Sequence, residues 1–168
     1  AYRQRLKDSD ELFRLHNITI SDLILLVVAQ TLTRYPALNA HLIQGNIYQY
    51  DQVHLGFAVD TPRGLLVPVI QQAPALSLRQ LSLESQRLSQ ACLAGTIIPD
   101  ELQGGTFTVS NLGHLGIESF TPILNVPQVA ILGVGNMNLK PVERGDDIAF
   151  VSHISFCLLY TSDAADEY

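Results

Sequence analysis

The sequence predicts a mixed α/β fold, built on two long helices and on short strands that come in runs rather than in regular βαβ alternation. Three observations carry this. SDLILLVVAQTLTRY, residues 21–35, is apolar nearly all round, the pattern of a helix buried on most sides. Leu78, Leu81, Leu88 and Cys92 recur near helical spacing between a capping Ser77 and a terminating Gly95. The remaining apolar stretches are short, rich in β-branched or aromatic residues, and bounded by Gly, Pro, Asn and Asp.

Residues 2–14 have a helical composition and read as the end of a helix. Thr19-x-x-Asp22 resembles a capping box with Asp in place of Glu, and it opens the first long helix. Pro36 is expected to end that helix. A strand from Leu38 to Ile43 then turns at Gln44-Gly45-Asn46 into Ile47–Tyr50. Val53–Val59 and Leu65–Ile70 read as two strands joined by the turn Asp60-Thr61-Pro62-Arg63-Gly64. Ser77 caps the second helix, which runs to about Ala94 with Gly95 at its C-terminal position. Pro99–Leu102 adds one helical turn. After a loop holding Pro122 and Pro127, the end of the chain reads as strands Val129–Val134, Leu139–Val142 and Ile148–Leu159, with Arg144-Gly145-Asp146 turning between the last two.

GGTFTVSNLGHLG, Gly104 to Gly116, poses the functional question. Its strand residues suit a pleated, half-buried surface, yet the strand ends on a hydroxyl and an amide, Ser110-Asn111. Either this pair caps the strand by bonding nearby backbone, or the strand is a rigid mount that aims the Ser110 hydroxyl at a reacting group.

The totals narrow the field. A chain of 168 residues can bury one real core. Only 15% of residues are charged and 47% are hydrophobic, against roughly 25% charged in an average soluble domain, so part of the surface is expected to be an interface. The net charge of −6 argues against a nucleic-acid role. The densest basic patch, YRQRLK with Arg3, Arg5 and Lys7, reads as an ordinary solvated helix face. Cys92 and Cys157 have no metal or redox spacing and fit small core residues in a reducing, cytoplasmic compartment. The longest apolar run, Leu23–Ala29, is too short to span a bilayer, so no membrane role is expected. No signal peptide opens the chain, and Ala1 is not an initiator Met, so the sequence reads as part of a longer one.

YPALNA, GFAVDTPRGLLVPVI, ELQGGTFTVSNLG and FTPILNVPQVAILGVG occur in an order and spacing that resemble the catalytic domain of the dihydrolipoamide acyltransferases, the acyltransferase components of 2-oxo acid dehydrogenase complexes. The resemblance runs from about Arg3 to Leu158 and implies a two-layer α/β sandwich of the chloramphenicol acetyltransferase type. It implies a homotrimer assembling into a larger core, with lipoyl domains and dehydrogenase components as partners. Coenzyme A and dihydrolipoamide would enter a channel between subunits from opposite ends. The lipoyl group would be carried on a separate domain. The chemistry implied is acyl transfer between two thiols, with a histidine base, no metal and no acyl-enzyme. Ser110 would donate to the oxyanion. Arg3, Thr19, Asp60, Asn111, Gly135 and Met137 would contact coenzyme A, alongside Ser110. The stretch GIESFTPILNVPQVAILGVG is nearer to acetyl-transferring members than to succinyl or branched-chain ones.

The chain departs from the family at both ends. After a strand like HISFCL the family has Asp-His-Arg-x-x-Asp-Gly, whose histidine is the base; here Thr161 and Ser162 stand at the Asp-His positions. Residues 1–158 are therefore read as a catalytic-domain fragment and 159–168 as a foreign tail, and the chain as given is expected to be inactive. His114, in the loop beyond Ser110, is not read as a replacement base. The alternatives are a non-catalytic structural core subunit and an antibiotic acetyltransferase of the same fold; the DTPRGLLVPVI and NVPQVAILGVG stretches weigh against the latter.

Overall fold

The computed structural model describes residues 18–145 and 147–161; the N-terminal helical reading, Arg3 and Ser162 lie outside them. Helix α1 spans Ile20–Leu32 and starts as its sequence dictates. The Thr19 hydroxyl accepts from the Asp22 amide at 3.1 Å, while the Asp22 carboxylate accepts from the Thr19 amide at 2.9 Å. The helix stops short of the proline. Arg34 and Tyr35 donate to the carbonyls of Thr31 and Leu32 in tightening turns, and Pro36 instead opens a 3₁₀ turn, Pro36–Leu38. The following strand consequently begins at Ala40 rather than Leu38.

Strands β1 (Ala40–Ile43) and β2 (Asn46–Gln49) form an antiparallel ribbon. Its turn needs two left-handed residues, Gln44 at φ 52° and Gly45 at φ 79°. The next region differs from the two continuous strands that the sequence predicts. It breaks into β3 (Leu55–Phe57), β4 (Val59–Thr61), β5 (Gly64–Leu66) and β6 (Val69–Ile70). β3 and β6 join the main sheet, whereas β4 and β5 make a separate ribbon. Pro68 is the physical reason on one side: it has no N–H for a ladder, although its carbonyl still accepts from Phe57 at 3.1 Å.

Helix α2 spans Leu78–Ala94, with Ser77 and Gln80 closing a reciprocal cap and Gly95 at φ 71° ending it. A 3₁₀ turn at Pro99–Leu102 leads to β7 (Phe107–Asn111). Two long strands follow, β8 (Ala130–Arg144) and β9 (Asp147–Tyr160). The sequence divides β8 into two strands, but the structure keeps it continuous. A register shift between Val134 and Met137 absorbs one extra residue, a β-bulge, and the Asn136 amide bonds to the Ile117 carbonyl at 2.7 Å. At its end β9 pairs Tyr160 with Ala130, and the Thr161 amide donates to the Val129 carbonyl.

The main sheet has the order β6-β3-β7-β8-β9. β3, β7 and β8 run parallel, and the two outer strands antiparallel to their neighbours, so the sheet is mixed. Both helices cover one face. Leu25, Ala29 and Leu32 of α1 and Leu81 and Leu88 of α2 pack on Leu55, Phe57, Ile70, Phe107, Val109 and Val134. This is the predicted two-layer sandwich. In this chain, however, α1 is buried on one side only, and Val27 is 60% exposed. Among the described residues no helix is long and apolar enough to cross a membrane.

Candidate active site

The site is organised by the alternation of β7. Phe107 and Val109 point into the core beneath the helices. Thr106 and Thr108 point the other way and are nevertheless buried. A buried hydroxyl needs partners, and both have them. Thr108 donates to the Gln128 side-chain carbonyl at 2.6 Å and accepts from the Asn125 amide at 3.2 Å. Thr106 accepts from the His54 amide and donates to its carbonyl, at 3.0 and 3.1 Å. Gln128 closes the set by donating to the Gly105 carbonyl. The segment entering β8 is thereby tied across this face of β7.

Ser110 is the next residue in that polar series. It is half-buried, and among the described residues its hydroxyl makes no hydrogen bond. Its register partner on β8 is Gly133. A Cβ on Gly133 would come within 3.1 Å of Pro122 and 3.2 Å of Phe120, so the absent side chain is what lets this loop lie over the sheet beside Ser110. Asn111 faces the opposite side and does the local bonding. Its amide nitrogen donates to Ser21 Oγ at 3.0 Å, and its oxygen accepts from the Gly113 amide at 2.9 Å.

On that opposite side lies a cavity of about 700 Å³ between the first turn of α1, α2, the β3–β4 segment and the ends of β7 and β8. It gathers five of the sequence-predicted residues: Thr19, Asp60, Asn111, Gly135 and Met137. Ser110 is not in its wall, since its side chain leaves the other face of the same strand end. Thr19 spends its hydroxyl on Asp22, both donating and accepting. Asp60 is exposed on β4. Gly135 lies at the bulge, and the group crowding it from within the chain is the Glu118 carbonyl. His114 is exposed at the rim.

The sequence does not announce two parts of this wall, the bonds that tie Asp22 to α2 and a polar stripe on α2 itself. Asp22 is only 3% exposed and receives hydroxyls from Ser82 at 3.0 Å and Ser85 at 2.8 Å, which fastens α1 to α2. Ser85, Gln86, Ser89 and Gln90 give α2 an uncharged polar stripe along the cavity. Their i, i+1, i+4, i+5 spacing is a helical signal, but it stands out only once the helix face is known. Away from the site, burial lowers the His54 imidazole below its ordinary range, and its Nδ1 accepts from the Gln72 amide at 3.0 Å. Burial likewise raises the Cys92 thiol. Among the described residues no group of three or more His, Cys, Asp or Glu is placed to hold a metal ion.

A mixed sheet covered on one face by two helices is the architecture of chloramphenicol acetyltransferase. One solved chain of that enzyme, 15% identical, superposes with a TM-score of 0.50 over 94% of this chain and 72% of its own, and it shows the shared fold. The family follows from the sequence match: the chain belongs to the 2-oxoacid dehydrogenases acyltransferase (catalytic domain) family, whose model matches residues 1–163. A dihydrolipoyllysine-residue acetyltransferase component of the pyruvate dehydrogenase complex from Azotobacter vinelandii is 42% identical over 76% of this chain. This chain spans 20% of that relative's length. A structure of dihydrolipoamide acetyltransferase from Azotobacter vinelandii, solved to examine a serine, a histidine and an asparagine in its catalytic mechanism, is 37% identical. It superposes with a TM-score of 0.85 over 95% of this chain and 66% of its own. The cubic core of the pyruvate dehydrogenase multienzyme complex matches equally well, with a TM-score of 0.85 at 36% identity and the same coverage of 95% and 66%.

Proposed function

We propose that this chain is the acyl-transferring part of a longer dihydrolipoamide acyltransferase that moves an acyl group, acetyl, between dihydrolipoamide and coenzyme A within a 2-oxo acid dehydrogenase complex. The observation that carries it is the unbonded Ser110 hydroxyl, left over on a strand whose other buried hydroxyls are all satisfied. In the reaction a base takes the proton of the attacking thiol, and its sulfur adds to the thioester carbonyl. The Ser110 O–H donates to the oxyanion of the tetrahedral intermediate, whose C–S bond to the leaving thiol then breaks. The proton returns from the base to that leaving sulfur. Arg3, Thr19, Asp60, Asn111, Gly135 and Met137 are assigned to coenzyme A, a reading supported by five of them meeting in one cavity.

Assembly as a homotrimer within a larger core, with a lipoyl domain and the dehydrogenase components as partners, is part of the same reading. It is supported by the likeness to a cubic core and by exposed apolar side chains such as Ile123 and Val126. A cytoplasmic location goes with two free cysteines, Cys92 and Cys157. In the full-length protein, Ser110→Ala lowers kcat by about 10²–10³ and leaves the KM for coenzyme A nearly unchanged, measured as acetyl transfer from acetyl coenzyme A to dihydrolipoamide. A loss under about threefold removes Ser110 from the chemistry.

We further propose that residues 159–168 are foreign in sequence to the domain, although β9 carries Leu159 and Tyr160 in its ladder and the family match reaches residue 163, and that the 168-residue chain alone transfers no acyl group, because Ser162 stands where the family carries its base. Replacing the residues after Tyr160 with an Asp-His-Arg-x-x-Asp-Gly continuation, which puts the histidine at position 162, and supplying the family's preceding segment, restores transfer by about 10² or more. Equal activity with and without that replacement would sink the idea.

A further inference from the structure

We propose that Ser21 is a positioning residue for Ser110: its hydroxyl, through Asn111, pins the end of β7 to the first turn of α1. This rests on the acyl-transfer reading above. The sequence places Ser21 and Asn111 far apart, and no motif joins them. The fold brings them together across the cavity, with Asn111 Nδ2 donating to Ser21 Oγ at 3.0 Å. Ser21 is a fixed point because the residues on either side of it are fixed. Thr19 caps the helix, and Asp22 accepts from Thr19, Ser82 and Ser85, which anchors this turn of α1 on α2.

Asn111 in turn sets the strand end. Its side-chain oxygen holds the Gly113 amide, and the Leu112 amide bonds to the Val134 carbonyl at 3.0 Å, so the chain turns immediately after β7. Ser110 has no side-chain bond of its own among the described residues, so its hydroxyl is aimed by the backbone of residues 110 and 111 alone. A group that must meet a developing charge is sensitive to small displacements, and a misplacement of about 1 Å costs up to about 10² in rate. Among the described residues, the Ser21–Asn111 bond is the one side-chain tie that links this strand end to a helix of the opposite cavity wall.

The test uses Ser21→Ala and Ser21→Thr in the full-length acyltransferase. Ser21 is exposed at a helix start, so both variants keep the parent melting temperature. Ser21→Ala lowers kcat by about five- to twentyfold with the KM for coenzyme A within about twofold, whereas Ser21→Thr, which keeps the hydroxyl, stays within about twofold of the parent on both. Ser21→Ala added to Asn111→Ala costs nothing further, as expected for two halves of one contact. In the same samples Ser21→Ala speeds hydrogen exchange of the Gly113 amide, a readout that needs no turnover. An unchanged kcat in Ser21→Ala, a loss confined to KM, or an unchanged Gly113 exchange rate each overturns the inference. A parent that transfers no acyl group, while Ser21→Ala still speeds Gly113 exchange, counts against the acyl-transfer reading instead.

Discussion

The two faces of β7 solve the same problem by different means. On one, Phe107 and Val109 need only shape, and they are satisfied by packing against α1 and α2. On the other, Thr106 and Thr108 are just as buried but need partners, and each finds them in residues brought from elsewhere in the chain. Ser110 belongs to the second face and breaks its rule, because it has a hydroxyl and no partner among the described residues. A strand whose buried hydroxyls are satisfied among the described residues except at one is a stiff mount for that hydroxyl, as the oxyanion role proposed for Ser110 would require.

Substitutions on the two faces should separate stability from activity. Phe107 is 2% exposed, and Phe107→Ala should cost about 3–5 kcal/mol in urea unfolding, because it empties the packed side. Ser110→Ala should do the reverse, with stability changed by no more than about 0.5 kcal/mol and kcat reduced as given above. If Ser110→Ala lost stability on the scale of Phe107→Ala, the contrast between satisfied and unsatisfied positions would collapse. Thr108→Val keeps the volume but strips Gln128 of its donor and Asn125 of its acceptor, for an expected loss of about 1–3 kcal/mol by the same measurement. A neutral Thr108→Val would mean that water replaces the network.

The smallest effect concerns His54, which braces Thr106 through its backbone and takes the Gln72 amide on Nδ1. That bond needs Nδ1 unprotonated, and burial lowers the folded pKa. The unfolded chain therefore binds the proton first. Stability from this residue is full above an ordinary histidine value of about 6.5 and is lost as pH falls through 6.5 toward the lower folded value. Unfolding measured at intervals between pH 7.5 and 5 should show a decline that His54→Gln flattens.

What the sequence made legible is what local chemistry decides. Both helix caps, the left-handed Gly45 and Gly95, the two-helix architecture and the strand ending at Ser110-Asn111 all follow from side chains within a few residues of each other. The break at Ala58 is not legible, since it depends on which sheet each half-strand joins, whereas Pro68 is a local signal that the two-strand reading passes over. Nor is the role of Gly133 legible, because what excludes a side chain there is Phe120 and Pro122 on a separate loop. At the site, Thr19, Asp60, Asn111, Gly135 and Met137 are legible from their motifs and share one cavity, while the sequence shows Asp22 only as a capping residue and not as the tie to α2, and it does not single out the serine-glutamine stripe of α2. Their meaning lies in contacts sixty residues or more apart in the chain, such as Ser82 to Asp22 and Ser85 to Asp22.

The bulge in β8 acts as a parity switch. Val134 stands opposite Phe156, but the next registered pair on the same face is Met137 with Ile154, so β8 has advanced by three residues while β9 has gone back by two. In an unbroken ladder Asn136 would stand opposite Ile154, and every side chain from there to Arg144 would exchange sides. The sidedness of the whole outer half of the hairpin is thus counted from one position, and that position is held by the Ile117 carbonyl rather than by β9. Deleting Asn136 would remove only the extra residue and its tie to Ile117, leaving Met137 opposite Ile154 and the arm on its present sides; closing the ladder with Asn136 retained is what would turn Met137 away from the cavity and invert the arm beyond it.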